Sequence, residues 1–179
     1  HPRCGTAFLL IVFLISIFLF LVLNVLVPIS NFFIRFLFHL AMLPIVVYAW
    51  RHGCGWGVMA GLIFGTIKCF YAGGFAWGWQ SILLDYSVAY AMVGLAGICR
   101  KLPHGLCWGA AVGGFARFVI HYISGVTIYA ILAPTELFGI TFLNPWTYSL
   151  AYNLGYVLPS TVLVAAICFF LEKPLKRLP

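Results

Sequence analysis

Apolar runs long enough to cross a bilayer recur along the chain, and they limit its fold more than any other feature. A membrane-spanning helix needs roughly 17–25 predominantly apolar residues. Six such stretches are separated by short segments marked by Gly, Pro or charge: 6–27, closed by Pro28, then 33–50, 55–71, 80–99, 106–132 and 146–171. Hydrophobic residues make up 64% of the 179 positions and charged residues 7%, against about a quarter charged in soluble domains. The expected fold is an all-α integral membrane protein, one domain over 1–179, with six transmembrane helices in a compact bundle. The opening run, 7–27, is too long for the apolar part of a signal peptide, and no small-residue cleavage site follows it. It is expected to be a true first span.

Charge sets the orientation. The net charge of +7 would suggest nucleic acid in a soluble protein. Here most of the basic residues sit at the ends of spans, where an excess of Lys and Arg marks the cytoplasmic side. Arg3 precedes the first span, Arg51 and His52 follow the second, Arg100 and Lys101 the fourth, and Lys173, Lys176 and Arg177 the sixth. With an even number of spans all of these share one side. Both termini are therefore expected in the cytoplasm, the chain in the plasma membrane of a bacterium, and no nucleic-acid partner is expected. The opposite side carries Arg35, Glu136, Trp77, Trp79 and Trp146 and the richer connections.

Other motifs bound the chemistry. The six cysteines form no Cys-x-x-Cys pair and have no zinc-like His spacing, so they read as small apolar packing residues and no metal is expected. Gly53, Gly57, Gly61 and Gly65 recur every four residues, a spacing that lets helix backbones approach closely. The Gly-x-Gly-x-Gly at 53–57 follows a span rather than a strand and lacks Gly-Lys-Ser/Thr, so this chain is not expected to hydrolyse ATP through a phosphate-binding loop.

Against this background Asp85 stands apart. The acidic residues are Asp85, Glu136 in a loop-like stretch and Glu172 in the basic tail, so Asp85 alone is expected at membrane depth. A carboxylate there is costly and normally faces a cavity or a partner. The partner is either a buried cation, Lys68 or Arg117, or a cationic ligand. Counting along the helices places Asp85 about 8 Å in from the external end of its span, at 1.5 Å per residue. His121 and Asn153 fall at comparable depth on two other helices, with Tyr86, Tyr129, Tyr148 and Tyr152 in the same outer half. Convergent polar groups in an apolar, aromatic frame are the usual make-up of a small-molecule site. A carboxylate compensates a cation, tyrosine faces supply cation–π attraction and stacking, and His and Asn supply directional hydrogen bonds. Together they suit a flat, cationic, nitrogen-rich molecule.

Plainer roles compete with these. Arg117 and His121 stand one turn apart and can satisfy each other. Asn153 can serve as interhelical glue, and Tyr90 and Tyr152 as packing. Tyr148 and Asn153 lie about 140° apart on an ideal helix and share one site only if the helix end is irregular. Lys68 and Arg117 can act as counter-ions to Asp85.

Four stretches also resemble the thiamine-specific, membrane-embedded substrate-binding components of energy-coupling-factor transporters. They are Leu43-Pro44-Ile45 through Ala49-Trp50-Arg51-His52-Gly53; Asp85-Tyr86-Ser87-Val88-Ala89 with Gly94-Leu95-Ala96-Gly97; Arg117-Phe118-Val119-Ile120-His121-Tyr122-Ile123-Ser124-Gly125; and Tyr148-Ser149-Leu150-Ala151-Tyr152-Asn153. The resemblance implies that Asp85, Tyr86, His121, Tyr148 and Asn153 fall on ligand-contacting positions and that Tyr129 closes over the ligand. It implies as partners a membrane-embedded coupling subunit and two ATPase subunits that consume ATP, with no cofactor held by this chain. The first connection would cap an external pocket. Three departures stand out: Asp85 replaces the commoner Glu, Tyr129 the commoner Trp, and the first span lacks an Ala-x-x-x-Ala face.

The resulting expectation is a high-affinity thiamine-binding subunit of an ATP-driven uptake transporter, not an enzyme. One alternative is capture of a thiamine precursor or another cationic heteroaromatic solute by the same fold. A second is an intramembrane enzyme using Asp85 and His121 as acid and base.

Overall fold

The computed structural model describes residues 39–71, 79–129, 135–137 and 139–177. The first expected span, Arg35, Trp77 and the capping first connection lie outside the described residues, as does the side chain of Tyr129. A 3-10 turn, His39–Ala41, leads into α1, Met42–His52. Pro44 is tolerated in the first turn of α1 because its missing N–H has no intrahelical partner there. Gly53 ends α1 at φ 100°, its N–H bonded to the Ala49 carbonyl at 2.7 Å. A positive φ suits glycine, and α2, Cys54–Tyr71, turns back at once.

The helical run 79–101, α3 below, changes pitch along its length. Trp79–Ser81 is α-helical, Ile82–Val88 is π-helical, Ala89–Val93 is α-helical and Gly94–Lys101 is 3-10. Asp85 and Tyr86 lie in the π-helical turns, a geometry that recurs at functional sites. Helix α4, Gly105–Tyr129, follows. A two-stranded antiparallel hairpin, β1 Thr135–Leu137 and β2 Ile140–Phe142, then precedes α5, Pro145–Arg177. Three of these helices are long and apolar enough to cross a membrane: Ile82–Lys101, Gly105–Thr127 and Pro145–Arg177.

Small residues set the packing. A Cβ on Gly61 would lie 2.1 Å from the Tyr90 carbonyl oxygen, and one on Gly65 2.2 Å from that of Tyr86. Helix α2 therefore presses its glycine face onto the α3 backbone. Helix α4 packs against both α3 and α5. The core beneath holds Met42, Val46, Tyr90, Val93, Leu106 and Val164.

Two local expectations change. The loop-like stretch carrying Glu136 is a β-hairpin, turned by Gly139 at φ 78°, so the chain is helical but not purely so. The sixth helix does not stop at 171 and leave a basic tail; it runs to Arg177. Glu172 explains the extension. It is buried, accepts the Leu106 N–H at 3.3 Å and bonds Lys176 at 2.5 Å. A carboxylate is favourable beside the orphan N–H groups that open α4, and the last turn of α5 is held in place by delivering it.

Candidate functional site

Asp85 meets His121. His121 Nδ1 and Asp85 Oδ1 lie 3.0 Å apart, with the side chains 9% and 24% exposed respectively. Arg117, one turn away on α4, donates its Nε–H to His121 Nε2 at 3.2 Å. A ring nitrogen that accepts carries no proton, so His121 is neutral here and its Nδ1–H is the group that donates to Asp85. One α4 face thus threads a relay from Arg117 through His121 to the carboxylate on α3.

The relay continues inward. Arg117 is 1% exposed and donates through Nη2 to the Tyr90 hydroxyl at 3.3 Å. Its guanidinium lies 4.4 Å from the Tyr90 ring centroid. Lys68 of α2 also donates to the Tyr90 hydroxyl, with its ammonium 4.8 Å from the same ring. The sequence suggests Lys68 and Arg117 as counter-ions of Asp85; both donate to the Tyr90 hydroxyl, and Arg117 also meets His121, which bonds Asp85. Tyr90, expected as packing, is the acceptor that joins a buried and a half-buried cation.

Helix α5 closes the other side. Asn144 starts it: its side-chain oxygen accepts the Trp146 N–H at 2.9 Å, an N-cap followed by Pro145 at the first helical position. Asn153 then donates through Nδ2 to the His121 carbonyl at 3.3 Å and to the Ser149 carbonyl at 2.8 Å. Ser149 donates to the Tyr122 carbonyl at 2.9 Å. The close approach needs Gly125, where a Cβ would lie 2.2 Å from Ser149 Oγ. Asn153 therefore does join helices, at the residue that holds Asp85.

An aromatic wall stands beside these groups. Tyr148 and Tyr152 stack with centroids 5.9 Å apart, and Tyr156 meets Tyr152 edge-on at 4.9 Å. Phe142 of the hairpin packs edge-on against Tyr148 at 5.9 Å. Tyr156 donates to Asn153 Oδ1 at 2.9 Å, and its ring lies 6.2 Å from that of His121. Tyr148 and Asn153 are both buried. Sequence reasoning misses Tyr156 and Phe142. Tyr156 is findable, since 148, 152 and 156 are four apart and so share one helix face. Phe142 is not, because nothing local signals which strand residue meets a distant helix. Tyr86, half-buried, follows Asp85 in the π-helical turns. Tyr129 is the last residue of α4. Among the described residues no group of three His, Cys, Asp or Glu is placed to hold a metal ion.

The chain can be compared with known proteins on this footing. A family model described as thiamine transporter protein (Thia_YuaJ) matches residues 10–178. The thiamine transporter ThiT of Bacillus subtilis (strain 168) is 29% identical over 150 residues, covering 76% of this chain and 75% of that protein. The thiamine transporter ThiT of Lacticaseibacillus paracasei is 31% identical over 145 residues, covering 70% of this chain and 68% of that protein. No solved structure matches the chain. Apolar helices of spanning length and a family match over nearly all of its length make this chain a multi-pass plasma-membrane protein that belongs to the thiamine transporter family.

Proposed function

We propose that this chain captures thiamine at the Asp85–His121 site and serves as the substrate-binding component of an ATP-driven energy-coupling-factor transporter. The observation that carries the reading is the half-buried Asp85 carboxylate, 3.0 Å from His121 Nδ1, beside the Tyr148–Tyr152–Tyr156 wall. Thiamine carries a permanent positive charge on its thiazolium ring and a flat aminopyrimidine. Asp85 would hold the charge, and Tyr86, Tyr129 and Tyr148 would supply ring faces. His121 and Asn153 would orient the aminopyrimidine. With His121 neutral, the imidazole does not cancel the Asp85 charge, and a thiazolium brought against the carboxylate is attracted by it in a low-dielectric site.

The rest of the reading follows from the same resemblance. Six spans form one domain with both termini in the cytoplasm and the site opening outward. A coupling membrane subunit and two ATPase subunits supply the energy, and this chain returns its ligand unaltered. Quenching of intrinsic tryptophan fluorescence by thiamine tests the core of the proposal, because Trp146 packs on Tyr122, next to His121, at 5.9 Å. In detergent-purified protein the parent should quench saturably. Asp85→Asn should weaken binding by about 30-fold or more, since truncating one member of a buried charge pair costs about 2–5 kcal/mol. Equal binding by both would remove Asp85 from the site. A parent that ignores thiamine but binds its pyrimidine or thiazole precursor would move the ligand and keep the fold.

A further inference from the structure

Ser124 has a hydroxyl that the described residues do not use. Among the described helical Ser and Thr side chains, Thr66, Ser87, Thr127, Thr147, Ser149, Ser160 and Thr161 each donate to a backbone carbonyl. Ser124 is 0% exposed, yet among the described residues its Oγ has no partner. A helical serine can ordinarily satisfy itself on the carbonyl one turn back. An unpaired buried hydroxyl in a native fold calls for an explanation, and a ligand absent from the protein at rest is one.

Its position says where such a ligand would sit. Arg117, His121 and Ser124 stand at i, i+4 and i+7 and so occupy one stripe of α4. The first two members of the stripe meet α3, Arg117 at Tyr90 and His121 at Asp85. Ser124 follows about 4.5 Å further along the axis toward Tyr129, at 1.5 Å per residue. It lies beside the Asp85–His121 pair, on the side away from the Tyr90 cluster.

We propose that the Ser124 hydroxyl hydrogen-bonds the hydroxyethyl arm of the bound thiazolium ring. The inference rests on the capture reading above. With the charge of that ring on Asp85 and the aminopyrimidine on His121 and Asn153, the arm is the remaining hydrogen-bonding substituent of the ligand. Ser124 is the unused buried group on the stripe that faces Asp85.

The test compares thiamine with an analogue carrying ethyl in place of hydroxyethyl, on the full detergent-purified chain and its Ser124→Ala variant. The parent should bind the analogue about 3- to 10-fold more weakly, the span expected for one neutral hydrogen bond. Ser124→Ala should bind both ligands alike, at the parent's affinity for the analogue. Its ligand-free melting temperature should match or exceed the parent's, because the substitution removes an unsatisfied buried hydroxyl. Retention of full thiamine affinity by the variant, or an equal loss for both ligands, would overturn the assignment while leaving capture intact. So would a lower melting temperature in the empty variant, which would assign the hydroxyl to the fold. A parent that binds neither compound would end the capture reading and this one with it.

Discussion

Tyr90 lies five residues beyond Asp85, fully buried, with Lys68 and Arg117 both donating to its hydroxyl. Two cations desolvated side by side are costly, and a shared acceptor with a π face between them offsets part of that cost. Tyr90→Phe keeps the ring and removes the acceptor. It should lower stability by about 1.5–3 kcal/mol, the usual size of a hydrogen bond to a charged group, read as a fall in melting temperature in detergent. Thiamine affinity should fall only a few-fold, because the contact Arg117 makes with His121 survives and the Tyr90 hydroxyl does not reach the proposed ligand. An unchanged melting temperature would mean that the two cations are held elsewhere. The common depth of Asp85 and His121 is legible in the sequence, because depth along a spanning helix follows from counting residues. Their bond is not, since the expected partners of Asp85 are Lys68, Arg117 or a cationic ligand. Neither is the role of Tyr90. A tyrosine in an apolar run looks like packing until the partners on two other helices are known. Asn153 resembles the Asp85–His121 case: its depth is legible, but its bond to the His121 carbonyl depends on an approach that only Gly125 permits.

Helices α2 and α3 touch through backbone, and that contact places the π-helical turns carrying Asp85. Gly61→Ala would set a methyl 2.1 Å from the Tyr90 carbonyl oxygen, where backbone rather than a flexible side chain has to move. Overpacking of this kind costs about 1–3 kcal/mol. It should also weaken thiamine binding, since shifting α3 displaces Asp85 from His121. Gly155→Ala is the matched control. It lies in α5 with nothing within 4 Å of a built Cβ, and Ala should gain about 0.5–1 kcal/mol through helix propensity. Opposite shifts in melting temperature are expected, and equal shifts would show that the glycines matter through propensity alone. The spaced glycines are legible as a packing face from their four-residue period, and the helices from α2 onward begin within a residue or two of their expected starts. Those starts are marked by Gly, Pro or charge, which are local signals. The end of α5 and the hairpin escape sequence reasoning because long-range contacts decide them. Glu172 extends α5 by reaching Leu106, and the hairpin turns at Gly139 before Phe142 packs on Tyr148.

At the scale of the molecule, the buried charges are arranged along the proposed route of the ligand. On α4, Arg117 is one turn nearer than His121 to the end that begins at Gly105, about 6 Å further on. In the proposed orientation that end is cytoplasmic. A thiazolium resting on Asp85 would therefore have Arg117 on its inner side, and like charges in a low-dielectric interior repel strongly. On the proposed reading the site would take a cation from outside and hold it, and inward passage would require the helix carrying Arg117 to rearrange. Partner subunits that hydrolyse ATP would supply that work, consistent with a sequence that lacks a phosphate-binding loop of its own. Proteoliposomes holding this chain alone should bind thiamine at the outer surface yet accumulate none in the lumen, with or without ATP. Adding the coupling subunit and both ATPases should produce ATP-dependent uptake, and that uptake should disappear with Asp85→Asn. Saturable accumulation by the chain alone would show that Arg117 is no barrier. The chain would then be a self-sufficient carrier, and the case for its partners would fall while the case for thiamine at Asp85 stood.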